Sequence, residues 1–579
     1  MRPLLIVYGS ETGTAQDTAE TLRREAILQG LPVKLLGLDE YDFDELVDEN
    51  VLVFVVATTG QGEVPPNMRN FWKKLLRKSL PNTLLENKSV AVFGLGDSSY
   101  QKYNFAGKKL YRRLIQLGTN ILLPLGLGDD QHELGIDGAL IPWKQTLWKQ
   151  IYERNFFKDV MKDGFDPSIS IPPRFVLSDT DNGSQESKSN DEYHELYVLK
   201  NERVTASDHF QDTRLIQFGI PDDVSSEFRY EPGDVLMVRP YNHPETIEIA
   251  VNAMGFTDDV LDKEFYLRAN NDPFARLPPT WLIGKKTTLR ICLTRLFDLQ
   301  TIPKKSFFET LGSISCDDME KERLLELGSP QGLDDLLDYC VRCRRTVAET
   351  LQDFPKTAKN ISPDRLFDIF SYIRPRAFSI ASNERCHPKR VELLVAKVEY
   401  KSRMSVPRRG LCSYYISTLE EGHKIFARIR SGTFNFPKEA ETPVICIGPG
   451  TGVAPFRSFL SWRDNTPSDS VLFFGSRNST KDYYFSDEWP NLLHTRVLTA
   501  FSRDQEEKIY VQNVIAKNPQ IISELLREKK GMVFVAGSAG AMPEAVVDIL
   551  NRIGAKYDAT EPLVDYLEKR GRIQYETWS

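Results

Sequence analysis

Arg374-Pro375-Arg376-Ala377-Phe378-Ser379-Ile380-Ala381-Ser382 sets basic, aromatic and hydroxyl residues along a short apolar run, the pattern of a strand edge open on one side. The guanidinium of Arg376 offers fixed donors to a pyrophosphate, Phe378 beside Ala377 can lie along a flat ring, and the Ser379 hydroxyl can reach that ring's edge. Those are the needs of a flavin dinucleotide, although the same residues also suit an ordinary buried strand. The surrounding chain decides between the two.

On either side, alternating runs at about His194 to Leu199, Thr213 to Phe218, Gly233 to Arg239, Val391 to Val398 and Lys424 to Ile429 read as strands. From Pro244 to about Tyr372 the periodicity is helical, as in Glu322 to Leu327 and Thr346 to Phe354. The order predicts an antiparallel β-barrel over 194–436 with a helical connecting insert at about 244–372. Gly410-Leu411-Cys412-Ser413 reads as a helix start whose glycine and following backbone N–H groups can take a pyrophosphate. The run from Arg376 to Ser382 resembles the FAD signature of the ferredoxin-NADP reductase family, and Gly410 to Ser413 resembles the second FAD motif of its diflavin members. Arg344 matches a family arginine that helps hold FAD.

Toward the C-terminus, the apolar run Thr442 to Ile447 opens into Gly448-Pro449-Gly450-Thr451-Gly452-Val453-Ala454-Pro455-Phe456-Arg457, a strand-to-helix turn of the kind that cradles a pyrophosphate. It resembles the nucleotide loop of ferredoxin-NADP reductase relatives. Further on, Gly475-Ser476-Arg477 ends one strand, and Ser502-Arg503-Asp504-Gln505 with Lys508-Ile509-Tyr510-Val511-Gln512 follows another. A dianionic 2′-phosphate needs cations and hydroxyls; Arg477, Ser502, Arg503 and Lys508 supply them, while Tyr510 can stack on adenine and Gln512 completes the set. This pattern matches the family's NADPH selector, where an NAD site prefers an acidic residue near the ribose. The stretch Tyr575-Glu576-Thr577-Trp578-Ser579 reads either as a frayed tail or as functional. The resemblance implies that Trp578 stacks on FAD and that Glu576 and Ser379 help orient hydride transfer. Relatives that reduce cytochromes usually carry cysteine where Ala536 stands, which leaves the transfer rate open.

Toward the N-terminus, Pro3 to Tyr8 is a buried-type strand running into Gly9-Ser10-Glu11-Thr12-Gly13-Thr14-Ala15, then an amphipathic helix from about Asp17 to Gln29. Backbone N–H groups at such a turn grip a phosphate, and without the lysine of a Walker loop the uncharged donors suit a terminal monoester such as that of FMN. Val51 to Val56 leads into Ala57-Thr58-Thr59-Gly60-Gln61-Gly62. Val90 to Phe93 leads into Gly94-Leu95-Gly96-Asp97-Ser98-Ser99-Tyr100-Gln101-Lys102-Tyr103-Asn104. A fourth strand near Ile121 to Leu125 ends at Gly128-Asp129-Asp130. In a doubly wound sheet these strand ends converge, and Tyr100 and Tyr103 can bracket a flat ring. The ordered loops resemble the flavodoxin-like FMN domain of diflavin reductases. That resemblance implies FMN phosphate on Ser10 to Ala15, ring contacts from Ala57 to Gly60 and Leu95 to Asn104, and a further contact at Asp130.

Composition limits the alternatives. A chain of 579 residues exceeds one core, and 41% hydrophobic with 27% charged residues is ordinary for a globular protein. A net charge of -7 argues against nucleic acid as the main partner. Seven scattered cysteines suit a reducing compartment, and Cys340 with Cys343 has no second pair or histidine cluster to make a metal site. Met1 to Tyr8 is not a signal peptide, and no apolar run is long enough to span a bilayer. Asp39, Glu40, Asp42, Asp44, Glu45, Asp48 and Glu49 form either a solvated face or an acidic rim that steers a basic partner. The stretch from about Asp179 to Asp191 has nothing to bury and reads as a hinge.

The expected architecture is multidomain α/β plus β-barrel: a flavodoxin-like FMN domain (1–150), a linker (151–193), the FAD-binding barrel with its insert (194–436), and a ferredoxin-NADP reductase-type NADPH domain (437–579). Gly128-Asp129-Asp130-Gln131-His132-Glu133-Leu134-Gly135 and the compact length resemble the diflavin branch of cytosolic iron–sulfur protein assembly. That resemblance implies a cytoplasmic enzyme with an anamorsin-type iron–sulfur protein as electron acceptor. A soluble reductase for heme monooxygenases or sulfite reductase would carry the same cofactor motifs. A signalling scaffold would have kept the fold without the chemistry.

Overall fold

The computed structural model describes residues 2–578 except 61, 101, 163, 182–192, 225–227, 271, 273, 440, 466 and 558–559. Most of the expected hinge, and Gln101 of the expected ring-binding loop, therefore lie outside the described residues. The chain forms two compact units: Met1–Asp191 with Asn242–Arg374 and Lys401–Val406, and Glu192–Tyr241 with Pro375–Tyr400 and Pro407–Ser579. The helical insert thus clusters with the N-terminal domain, whereas the flanking strands cluster with the C-terminal one.

In the first unit, β1 (Leu4–Gly9), β2 (Val33–Gly37), β3 (Val51–Ala57), β4 (Ser89–Gly96), β5 (Asn120–Ile121) and β6 (Gly126–Asp129) make a parallel sheet in the order β2-β1-β3-β4-β5, with β6 on β4. Strand order reverses between β1 and β3, so a crevice forms beyond their carboxyl ends. Alternate side chains serve two cores. Leu4, Ile6, Val53 and Val55 pack with the helices Thr14–Leu28 and Asp137–Glu153, while Leu5, Val7, Leu52 and Phe54 pack with Arg69–Leu75 and Phe105–Gln116. Burial on both faces explains why these strands read as unbroken apolar runs.

The fourth expected strand is broken in two. Pro124 lacks the N–H a ladder needs, and a β-carbon at Gly126 would sit 2.3 Å from the Phe93 ring and 2.7 Å from Trp143. The break lets those rings meet at 5.1 Å.

The segment expected as linker is tied down along part of its length. Phe157 joins the sheet core, and Phe175–Ser178 pairs antiparallel with Tyr266–Ala269 of the insert. The insert runs from the helix Pro244–Met254 to the helix Leu366–Ile369 and grips the first helix of the sheet domain. The insert's Asp272 pairs with Arg23 at 2.6 Å and its Ser306 donates to Asp17 at 2.9 Å, while Arg174, in the segment expected as linker, donates to both Glu20 oxygens at 3.0 and 2.8 Å. Cys340 and Cys343 are buried free thiols here, and no cluster able to hold a metal occurs among the described residues.

The second unit joins two sheets. The first contains β7 (His194–Arg203), β8 (Thr213–Gly219), β9 (Val235–Arg239), β10 (Arg376–Ser379), β11 (Arg390–Ala396) and β12 (Lys424–Arg430), antiparallel in the order β10-β9-β12-β7-β8-β11. A single antiparallel bridge links Ile380, just past β10, to Leu393 in β11. The other sheet is parallel: β13 (Val444–Pro449), β14 (Ser470–Ser476), β15 (Thr495–Phe501), β16 (Met532–Ser538) and β17 (Ile573–Trp578), in the order β15-β14-β13-β16-β17. The C-terminal residues are therefore a paired strand and not a frayed tail.

Arg457, 6% exposed, rivets the two sheets. It bonds Glu392 of β11 at 2.6 Å, the Ala381 carbonyl at 3.1 Å and both oxygens of Glu488 at 2.7 and 2.8 Å. Ser458 Oγ donates to the Ser382 carbonyl at 2.6 Å beside it. No described helix is long and apolar enough to cross a membrane.

Candidate functional site

Beyond β1 the chain turns sharply into a helix whose first N–H groups have no side-chain cap. Gly13 takes φ 103°, open to glycine at little cost, and its amide donates to Ser10 Oγ at 3.0 Å. The Ser10 amide donates to Asn67 Oδ1 at 2.8 Å, and Asn67 Nδ2 reaches the Tyr8 carbonyl at 3.3 Å. Thr14 is half-buried, Glu11 and Thr12 are exposed, and Ala15 is buried in the core. The result is a shaped loop with free helix-start donors, which fits a phosphate monoester.

The neighbouring loops converge as a doubly wound sheet requires. Thr58 N–H donates to the Leu95 carbonyl at 2.9 Å, and Asp130 N–H donates to the Gly96 carbonyl at 2.9 Å. Thr59 and Gly60, the latter at φ 49°, form a tight turn. Tyr100 is exposed, and Tyr103 donates its hydroxyl to the Leu127 and Gly128 carbonyls at 3.2 and 3.3 Å. Asp97 accepts from Ser99 N–H at 2.8 Å and Asp129 accepts from Ser98 N–H at 2.9 Å. Lys102 packs beside Gly62. Asn104 is fully buried, with Nδ2 donating to the Gly128 carbonyl at 2.9 Å, so its side chain braces the loop instead of offering a surface.

In the second unit, β10 lies at the end of its sheet, with Ser379 opposite Val235 and Arg376 opposite Val238. Arg376 and Ala377 are exposed; Phe378 and Ser379 are half-buried. Gly410 caps the helix Leu411–Ser417, where a β-carbon would lie 2.7 Å from Ser413 Oγ and 2.9 Å from Val398 Cβ. Leu411, Cys412 and Ser413 are buried, which leaves backbone as the group they can offer. Burial pushes the Cys412 thiol up to about 12, and the positive charge of Arg376 opposes that shift, which puts the guanidinium near this helix start. Cation and glycine cap together suit a pyrophosphate. Arg344, exposed at φ 58°, belongs to the first unit.

Ser379 Oγ donates to Glu576 Oε1. Glu576 stands in β17 opposite Ala536 of β16, and Ala539 N–H donates to the Trp578 carbonyl at 2.8 Å. Burial raises the Glu576 pKa above the ordinary carboxylate value, while the Ser379 hydrogen bond, the Thr433 backbone and Arg430 pull it down. Its Oε2 is buried, with no side-chain or backbone partner within hydrogen-bond geometry among the described residues. Trp578, 39% exposed, ends the strand.

After β13, Gly450 takes φ 58° and Thr451 is half-buried in the turn. A β-carbon at Gly452 would meet the Ala536 carbonyl at 2.3 Å, so glycine is what lets the loop seat on β16. Arg477, Arg503, Lys508 and Tyr510 are exposed beyond β14 and β15, and Gln512 is half-buried. Arg503 N–H donates to the Arg477 carbonyl at 2.8 Å, which joins the two basic residues. Ser502 is buried with Oγ 3.4 Å from the Ser476 carbonyl, a less open hydroxyl than the sequence suggests. Three exposed cations beside an exposed tyrosine fit a 2′-phosphorylated adenosine.

Sequence reasoning passed over Asn67, Arg374 and Arg457. Arg457 was quoted only as the end of the glycine-rich motif, and Asn67 and Arg374 act on residues remote in sequence.

Comparison with known proteins finds a family model for each of three parts of the chain. Residues 6–143 match the flavodoxin family model, 187–415 the FAD binding domain and 446–548 the oxidoreductase NAD-binding domain. The chain is 40% identical to NADPH-dependent diflavin oxidoreductase 1 of Danio rerio over 608 residues, covering 100% of this chain and 99% of the relative. It is 40% identical to the protein of that name from Bos taurus, with the same coverage, and 36% identical to that of Schizosaccharomyces pombe, with 99% of each covered. With FMN, FAD and NADPH as its cofactors, the chain belongs to the NADPH-dependent diflavin oxidoreductases, flavoproteins that carry electrons from NADPH through FAD and FMN.

Proposed function

We propose that this oxidoreductase delivers single electrons to an anamorsin-type iron–sulfur protein in cytosolic iron–sulfur protein assembly. When bound, the nicotinamide nucleotide supplies a two-electron hydride and the flavins divide it into single electrons. The chain's own residues bind, orient and protect. Ser10, Thr12, Thr14 and the backbone from Glu11 to Ala15 hold the FMN phosphate, and Ala57 to Gly60 with Leu95 to Tyr103 and Asp130 surround its ring. Arg376, Ala377, Phe378 and the backbone from Gly410 to Ser413 hold FAD. Thr451, Arg477, Ser502, Arg503, Lys508, Tyr510 and Gln512 hold NADPH. The antiparallel sheet reads as a barrel closed at the Ile380–Leu393 bridge.

The contact between Ser379 and Glu576 carries this reading. It fixes the direction of the hydroxyl and keeps a carboxyl in a dry setting, as a site for oriented hydride transfer needs. Trp578, at the exposed end of the same strand, controls access.

The acceptor reading is supported by the exposed acids Asp39, Glu40, Asp42, Asp44, Glu45 and Asp48, which would steer a basic partner. Glu49 is not part of that rim: it is 2% exposed and is raised in pKa, chiefly by burial. Seven free cysteines are consistent with the cytosol. The test is anaerobic mixing of the NADPH-reduced holoprotein with an anamorsin-type protein, a heme monooxygenase or a sulfite reductase hemoprotein. Fastest reduction of the iron–sulfur protein supports the proposal, and preference for either of the others refutes it.

A further inference from the structure

The loop Gly9 to Gln16 contains no cation, and its one ionisable residue, Glu11, is acidic. A dianionic phosphate held by this loop's backbone and hydroxyls alone would have no counter-charge from the loop itself. The fold brings one from far along the chain. A β-carbon at Gly13 would lie 2.8 Å from Arg374 Nε and 3.3 Å from Cζ and Nη2, so the guanidinium rests against the turn. Its Nη2 donates to Gln16 Oε1, in the first turn of the helix that follows. Arg374 also lowers the cost of ionising Tyr8, at the end of β1, so its charge reaches the base of the loop. The insert holds this helix start in place as well: Ser306 Oγ donates to Asp17 at 2.9 Å and Lys304 stands 3.7 Å from the same carboxylate.

We propose that Arg374 completes the FMN phosphate site, supplying from the end of the helical insert the positive charge that the loop Gly9 to Gln16 lacks. This rests on the reading of Ser10 to Ala15 as the phosphate loop. Binding and docking are then linked: phosphate on the loop favours the seated insert, and a seated insert favours the phosphorylated flavin over its dephosphorylated form. Arg374 is a binding residue here, with no part in moving electrons.

The experiment uses the full chain, stripped of flavin, reloaded with FAD, and titrated with FMN or riboflavin while flavin fluorescence is followed. In the unaltered protein FMN binds more tightly than riboflavin. Arg374→Ala weakens FMN by about tenfold, the scale of one charge-assisted contact, and leaves riboflavin within about twofold; Arg374→Lys recovers part of the loss. Equal losses for both ligands would make Arg374 a scaffold residue, and no loss for FMN would remove it from the site; either result overturns the proposal alone. If the unaltered protein binds riboflavin as tightly as FMN, the reading of the loop itself fails.

Discussion

Ser379, on the end strand of one sheet, donates its hydroxyl hydrogen to Glu576, on the end strand of the next, and the acid's other oxygen is buried with no partner among the described residues. Removing the hydroxyl has a predictable sign. The Ser379 hydrogen bond lowers the pKa of Glu576 against the larger upward effect of burial, so Ser379→Ala raises it further. Stopped-flow reduction of the FAD by NADPH slows by about 10²-fold in that variant, and the acid limb of its pH profile moves to higher pH. An unmoved limb would separate the serine from the acid.

Arg503→Glu places an acid among the exposed cations beyond β15. The KM for NADPH rises by about tenfold or more while that for NADH changes little, because only NADPH carries the 2′-phosphate. Steady-state kinetics with both nucleotides check this, and equal losses contradict it.

Arg457→Ala leaves Glu392, 1% exposed, without its 2.6 Å partner. The second unit loses about 3 kcal/mol in urea unfolding although Arg390 still stands 3.0 Å from the carboxylate, and adding Glu392→Gln restores part of it, because the under-compensated buried charge and not the lost contact dominates the cost.

Glu309, on the insert helix Lys305–Ile314, faces Lys144, Glu25, Lys305 and Arg24. Burial raises its pKa from 4.5 to about 7, with Glu25 adding to the shift and the three cations opposing it. Between those values the folded chain holds a proton that the unfolded chain has released. The stabilisation is thus full at low pH and lost as pH rises through about 7, amounting to about 3 kcal/mol. Thermal melts of Glu309→Gln at pH 5 and pH 8 show a smaller difference than the unaltered protein; an equal difference would assign the pH dependence elsewhere.

Charge reversal at Asp44 and Glu45, both exposed, slows encounter with a basic acceptor by about tenfold at low salt and leaves flavin content unchanged. Stopped-flow acceptor reduction at two ionic strengths reads this, and a rate indifferent to the reversal removes the rim from the acceptor site.

The parts legible in the sequence were those where local chemistry and chain order agree. Apolar runs such as Val51–Ala57 end in glycine and hydroxyl residues, and the fold collects those ends in one crevice. Contacts between distant segments left no such trace. Arg374 and Gln16 are 358 residues apart, and neither lies in a pattern that points to the other. The break at Pro124 was readable, since proline cannot continue a ladder, but the apolar residues on both sides masked it. Ile573–Trp578 lacked a local cue because its parallel partner, Met532–Ser538, is separated from it by the helices Ala541–Tyr557 and Leu563–Glu568. Asn104 carried the right chemistry for a ligand, and only burial shows that its side chain holds the loop.

The relay order is tested most directly by removing FMN alone from the holoprotein and adding NADPH without oxygen. The account predicts that the remaining FAD still bleaches, that reduction of the protein acceptor stops, and that added FMN restores it. Acceptor reduction that continues undiminished without FMN would contradict it.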